Sequence, residues 1–176
     1  KPESADVFFI TVPTPFKDKN FKPDLSFIKS ACKSIASILK VGNLVILEST
    51  SPVGTTEKIS EWLSKARPDL TFPHTHGKKS DIRMAYCPER VLPGKILYEL
   101  VHNDRIIGGM TSKCSDTTSK IYKLFVKGEL IYTDPRTAEM SKLTENSFRD
   151  VNIAFANELS IICDKLDINV WDLIKI

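Results

Sequence analysis

Lys142, Asn146 and Arg149 stand at i, i+4 and i+7 within the segment Ala138-Glu-Met-Ser-Lys-Leu-Thr-Glu-Asn-Ser-Phe-Arg149. On a helix that spacing stacks an ammonium, an amide and a guanidinium on one face. The set suits a polar, anionic ligand. A lysine partly withdrawn from water can act as acid, base or oxyanion stabiliser. The neighbouring amide can donate to the same oxygen, and the guanidinium can grip a carboxylate or phosphate. The other face carries Met140, Leu143, Ser147, Val151, Ala154 and Ile161, which reads as a buried stripe. An ordinary ion-paired surface, with Glu139, Glu145 and Asp150 as partners, explains the same residues equally well.

A second carboxylate candidate lies in Met84-Ala-Tyr-Cys-Pro-Glu-Arg-Val-Leu-Pro-Gly94, a strand running into a turn. Pro88 restrains the chain just before Glu89, whose carboxylate at a strand end can serve as a general base for water. An ion pair with Arg90, or a helix cap, is the plainer alternative. Two further strand ends, Pro13-Thr14-Pro15 and Ser49-Thr50-Ser51, offer hydroxyls and backbone amides to a phosphate or ribose. Taken singly, these are ordinary turn residues.

The elements that must carry these groups alternate. Val7–Val12, Asn43–Glu48, Arg83–Cys87, Arg105–Gly108 and Leu130–Thr133 read as strands. Their continuous apolar runs suit strands covered on both faces. Between them the apolar period predicts a helix after Pro23-Asp24, a second one capped by Thr55 or Thr56, and a short one over Lys95–Val101. A further helix starts at Ser112 or Ser115. Arg67–Lys79 reads as a loop. Pro135 suits the first turn of a long helix reaching about Asp164, and Asn169 caps a last one. The pattern is an α/β fold, a parallel sheet with right-handed crossovers. In such sheets ligands gather at the C-terminal strand ends.

The 176 residues suffice for one domain with a core, or for one domain and part of another. A net charge of +3, spread among alternating acids and bases, gives no nucleic-acid footprint. No apolar run approaches the roughly 20 residues of a membrane span. Cys32, Cys87, Cys114 and Cys163 lack the spacing of a metal or disulfide framework and read as reduced, buried thiols of a cytoplasmic protein. His74 and His76 read as solvated loop residues, so no metal site is expected. No G-x-G-x-x-G occurs, and the last helical pattern is still running at Ile176, so the chain reads as an internal piece of a longer one.

Five ordered strings resemble the UDP-glucose/GDP-mannose dehydrogenase family. They are Val12-Pro-Thr-Pro-Phe16, Leu47-Glu-Ser-Thr-Ser-Pro-Val-Gly54, Tyr86-Cys-Pro-Glu-Arg-Val-Leu-Pro-Gly94, Asn103-Asp-Arg-Ile-Ile-Gly-Gly109 and the segment from Ala138 to Leu159. The resemblance covers essentially the whole chain. It is closest to the bacterial branch acting on UDP-N-acetyl-D-mannosamine. Pro93 stands where the UDP-glucose members carry a second glutamate, which fits that branch.

The resemblance implies the later half of a Rossmann-like NAD-binding domain over 1–134 and the start of a helical central domain, used for dimerisation, over 135–176. It implies oxidation of the sugar C6 alcohol to a carboxylate with two NAD and a cysteine thioester between the two steps. Thr14 and Thr50 would contact NAD, and Arg90 and Val91 would lie along the UDP-sugar. Lys142 would be the acid/base, with Asn146 beside it and Arg149 on the substrate. Glu89 would handle the hydrolytic water. The family's glycine-rich loop and its nucleophilic Gly-Gly-His-Cys segment would lie outside these residues, so the chain alone is expected to be inactive. The alternatives are a member acting on UDP-N-acetylglucosamine, UDP-N-acetylgalactosamine or UDP-glucose, and a non-catalytic dimerisation module.

Overall fold

A computed structural model describes residues 3–17, 22–92 and 94–176. Pro93, read above as marking the branch, lies outside the described residues. A five-stranded sheet is built from β1 (Val7–Ile10), β4 (Leu44–Leu47), β5 (Arg83–Tyr86), β6 (Arg105–Gly109) and β7 (Leu130–Thr133), neighbours in that order. β4 shows why the apolar runs are continuous. Val45 and Leu47 join a core with Ile28 and Cys32 of helix α1 (Ser26–Ala36) and Ile59 and Leu63 of α2 (Thr55–Ala66). Leu44 and Ile46 point the other way, into a smaller core with Tyr122 of α5 (Ser112–Tyr122) and Val126. Both faces of the strand are covered, so no polar residue is tolerated on either.

The sheet is parallel at β1–β4, β4–β5 and β6–β7, but β5 and β6 run antiparallel, with Ala85 opposite Gly109 and Tyr86 opposite Gly108. This corrects the expectation of a parallel sheet throughout. The cause is α4 (Ile96–His102), which has no buried residue and so no face to lay across the sheet. Without a packed crossover the chain turns back at the same edge.

Smaller corrections concern caps and loops. Gly54, at φ 89°, holds the N-cap position of α2 in place of Thr55 or Thr56. Its left-handed backbone suits glycine. Thr111 rather than Ser112 or Ser115 caps α5, accepting from the Cys114 amide. The loop expected over 67–79 contains α3 (Pro73–His76) and a 3-10 turn over Gly77–Lys79. The polar loop expected after Pro15 contributes a two-residue antiparallel pair, β2 (Phe16–Lys17) with β3 (Lys22–Pro23). Asn169 caps α7 (Val170–Lys175) as expected, accepting from the Trp171 amide at 3.0 Å. All four cysteines are free and buried.

Helix α6 (Pro135–Lys165) is 31 residues long. Its first turn packs closely on β6, since a Cβ on Gly108 would meet the Ala138 Cβ at 2.7 Å and the Pro135 Cα at 2.8 Å. The chain divides into two compact units, Lys1–Ser141 and Lys142–Ile176. In the second unit the stripe expected to be buried is open. Val151 is 67% and Ile161 50% exposed, and Met140, just before the unit, is 55% exposed.

Candidate functional site

Three of the sequence-predicted loops share one edge of the sheet. β1, β4 and β5 are parallel and adjacent, with Ile10 level with Leu47 and Leu47 level with Tyr86. The loops that follow, bearing Thr14, Thr50 and Glu89, therefore emerge side by side. Antiparallel β6 begins at the same edge. The β5–β6 register, run on by three residues, sets Arg105 level with Glu89.

The hydroxyls at this edge are engaged in tying loops together. Thr14 Oγ1 donates to the Thr50 carbonyl at 2.6 Å, Ser49 Oγ to the Val12 carbonyl at 2.7 Å, and Ser51 Oγ to the Ser49 carbonyl at 2.8 Å. The Thr14 proton is thus committed to the Thr50 loop, and its oxygen can still accept.

Glu89 is half-buried, and its carboxylate accepts from the Val91 amide within its own turn. The same turn is held from the far side. Asn103 Nδ2 donates to the Arg90 carbonyl at 2.6 Å, and the Leu92 amide donates to Glu99 Oε2 at 2.7 Å. Pro88 alone was expected to restrain this carboxylate, but the hydrogen bonds fix it further. A surface pocket of about 800 Å3 beside the turn is lined by Gly94, Lys95, Ile96, Leu97 and Tyr98, none of them an expected site residue.

Beneath the turn, Glu48 accepts from the Tyr122 hydroxyl. Burial pushes the Glu48 carboxyl above its usual range; Tyr122 and the Arg105 charge oppose this, and the Glu89 charge adds to it. Burial also pushes the Cys87 thiol up to about 12. A thiol held that high stays protonated near neutrality, so Cys87 packs and does not attack.

The residue that sequence reasoning missed is Glu139. It was counted among surface partners for the cations, yet it is fully buried. Its carboxylate accepts from the Gly54 amide at 2.5 Å, the Thr56 amide at 2.8 Å and Thr56 Oγ1 at 2.7 Å. It thus fills the N-terminus of α2, where backbone donors and the helix dipole favour an anion. A readable signal existed. Pro135, Ala138 and Glu139 share a face at i, i+3 and i+4, and a proline and an alanine there announce close packing.

In the second unit, Lys142 and Asn146 are half-buried and Arg149 is exposed on the same helix face. Arg149 Nη2 donates to Asn146 Oδ1 at 3.2 Å, so the amide oxygen is engaged within the helix face. Among the described residues no helix is long and apolar enough to cross a membrane, and no group of His, Cys, Asp and Glu could hold a metal.

A family model described as the UDP-glucose/GDP-mannose dehydrogenase family, NAD binding domain, matches residues 1–126, and the model of its central domain matches residues 136–176. The UDP-N-acetyl-D-mannosamine dehydrogenase of Campylobacter jejuni is 67% identical over 99% of this chain and 43% of its own length. The NDP-N-acetyl-D-galactosaminuronic acid dehydrogenase of Ralstonia nicotianae is 66% identical over 100% of this chain and 41% of its own. The native structure of the UDP-N-acetyl-mannosamine dehydrogenase from Staphylococcus aureus superimposes with a TM-score of 0.84 at 50% identity, over 99% of this chain and 41% of that one. The chain therefore spans about two fifths of the length of the curated relatives it matches. Its motifs, its sheet and these matches agree: the chain belongs to the UDP-glucose/GDP-mannose dehydrogenase family.

Proposed function

We propose that this chain forms part of an NAD-dependent UDP-sugar 6-dehydrogenase that oxidises UDP-N-acetyl-D-mannosamine to UDP-N-acetyl-D-mannosaminuronate in two hydride transfers. Residues 1–134 supply part of the NAD-binding domain, and 135–176 the start of the central domain. The observation that carries this reading is the common edge of β1, β4 and β5, where Thr14, Thr50 and Glu89 emerge side by side.

That edge fits one part of a dinucleotide. The hydroxyl-bearing, uncharged loops around Thr14 and Thr50 match ribose and amide groups. The N-terminus of α2 is already filled by Glu139, so the pyrophosphate needs another seat. NAD, when bound, accepts the hydride from C6 in each oxidation. Lys142 takes the C6 hydroxyl proton, and Asn146 donates to the same oxygen as charge develops on it. Arg149 pairs with substrate phosphate or carboxylate, and Arg90 and Val91 lie along the UDP-sugar. Glu89 takes a proton from the water of the hydrolytic step.

A galactosamine-type substrate is the second reading, favoured by the relative at 66% identity named for N-acetyl-D-galactosaminuronic acid. Purified full-length protein bearing this sequence should reduce two NAD per UDP-N-acetyl-D-mannosamine consumed. Its kcat/KM should exceed that for UDP-N-acetylglucosamine, UDP-N-acetylgalactosamine or UDP-glucose by about tenfold or more. A higher value for the galactosamine sugar establishes the second reading, and no NAD reduction with any of the four removes both.

The protein is also a homodimer through α6 in this reading. The support is the open apolar face of Phe148, Val151 and Phe155, each at least 67% exposed. Sedimentation across a concentration series should report a dimer, and a clean monomer at high concentration rejects it. The four free thiols suit the reducing cytoplasm.

A further inference from the structure

The loop from Thr50 to Gly54 is pinned at both ends. At its start, Thr14 Oγ1 donates to the Thr50 carbonyl at 2.6 Å, and Ser49 Oγ to the Val12 carbonyl at 2.7 Å. At its end, the Gly54 amide donates to Glu139 Oε2 at 2.5 Å. The Thr56 amide and hydroxyl donate to Glu139 Oε1 at 2.8 and 2.7 Å. Between the pins, Thr55 Oγ1 donates to the Pro52 carbonyl at 2.6 Å and closes the turn that enters α2. Thr50 itself is half-buried, while Ser51, Thr55 and Thr56 are buried.

The pin at the far end has a fixed base. Pro135 and Ala138, one turn or less before Glu139 on α6, pack on Gly108 of β6, where a Cβ would not fit. Arg136, on the same helical turn, bridges to Glu57 of α2 at 2.8 Å. All of these residues lie in the unit Lys1–Ser141.

Docking α6 on α2 does not by itself call for an acid. Apolar side chains of similar size hold a buried contact as well or better, because a carboxylate gives up its water on burial. What the carboxylate adds is direction, since charge-assisted bonds are short and fix the donors that make them. Here every one of those donors belongs to the chain leaving the Thr50 loop.

We propose that Glu139 is a positioning residue for the cofactor: by holding Gly54 and Thr56 it fixes the far end of the Thr50 loop and so sets where Thr50 meets NAD. This rests on the assignment of Thr50 above. A purely structural Glu139 would change stability and leave the NAD affinity of the folded protein alone.

The test uses the full-length protein with Glu139→Ala, with Glu139→Gln, which keeps one acceptor, and with Thr56→Val, which removes one donor and keeps the amide. By calorimetric titration, the Kd for NAD is expected to rise about tenfold in the alanine variant and about threefold in the other two. The Kd for UDP-N-acetyl-D-mannosamine should stay within about twofold. Hydrogen exchange over residues 49–56 should quicken about tenfold more than over β1 in the alanine variant. Folded variants that bind NAD as the wild type does overturn the proposal, and so does exchange over 49–56 that rises no more than over β1. Equal losses of NAD and sugar affinity also overturn it, because they mark a general loosening. If the alanine variant fails to fold, the other two decide, and failure of all three to fold overturns the proposal. A wild type that binds no NAD, with the loop loosening as described, removes the assignment of Thr50 and leaves the hold on the loop standing.

Discussion

Glu139→Ala should lower the unfolding free energy of the unit Lys1–Ser141 by about 3–5 kcal/mol. The carboxylate is fully buried and takes three donors, two of them backbone amides at the first turn of α2. Each buried donor left without an acceptor costs about 1–3 kcal/mol. The α2 dipole also loses a counter-charge worth up to about 2 kcal/mol in partly buried settings. Water entering the vacated space would soften the loss, which keeps the total below the sum of its parts. The Arg136–Glu57 bridge at 2.8 Å joins the same two helices but is exposed, so it offsets little. Glu139→Gln should fall between, since an amide can accept from one donor while its NH2 confronts another. Urea denaturation measures all three proteins, and a loss below about 1 kcal/mol for the alanine variant would show the contact to be dispensable.

Lys142→Ala in the full-length protein should reduce kcat about a thousandfold while leaving NAD affinity within about twofold, because positioned proton transfer contributes about 10²–10⁴. Lys142→Arg should rescue little. A guanidinium keeps the charge but does not release a proton near neutrality. The half-buried position of Lys142 beside Asn146 favours this role over that of a solvated cation. Single-turnover kinetics at saturating sugar separates chemistry from binding, and a fall of less than about tenfold would remove Lys142 as the proton carrier.

Strands, long helices and the order of motifs were legible from the sequence because each has a local cause. A wholly apolar β4 declares both its faces, and Pro135 and Asn169 declare helix starts. The direction of β6 was not legible, because a buried strand has the same composition whichever way it runs. The clue lay in α4, whose residues Ile96, Leu97 and Tyr98 look like a packing face but are 52–81% exposed. Glu139 escaped for a different reason. Nothing near it in sequence shows that the first turn of α2, more than eighty residues earlier, needs an acid. The candidate site was legible at its strand ends, where Thr14, Thr50 and Glu89 are placed by strand order alone. The hydrogen bonds that commit the Thr14 proton and tie Glu48 to Tyr122 join residues 36 and 74 positions apart and follow only from the fold.

The buried cysteines have one more consequence. Cys32, Cys87 and Cys114 lie in the sheet-bearing unit and Cys163 in the other. A thiol-reactive reagent meets none of them until the surrounding structure opens. The chain therefore carries two built-in clocks: the rate at which Cys163 is labelled times the breathing of the helical unit, and the other three time the breathing of the sheet.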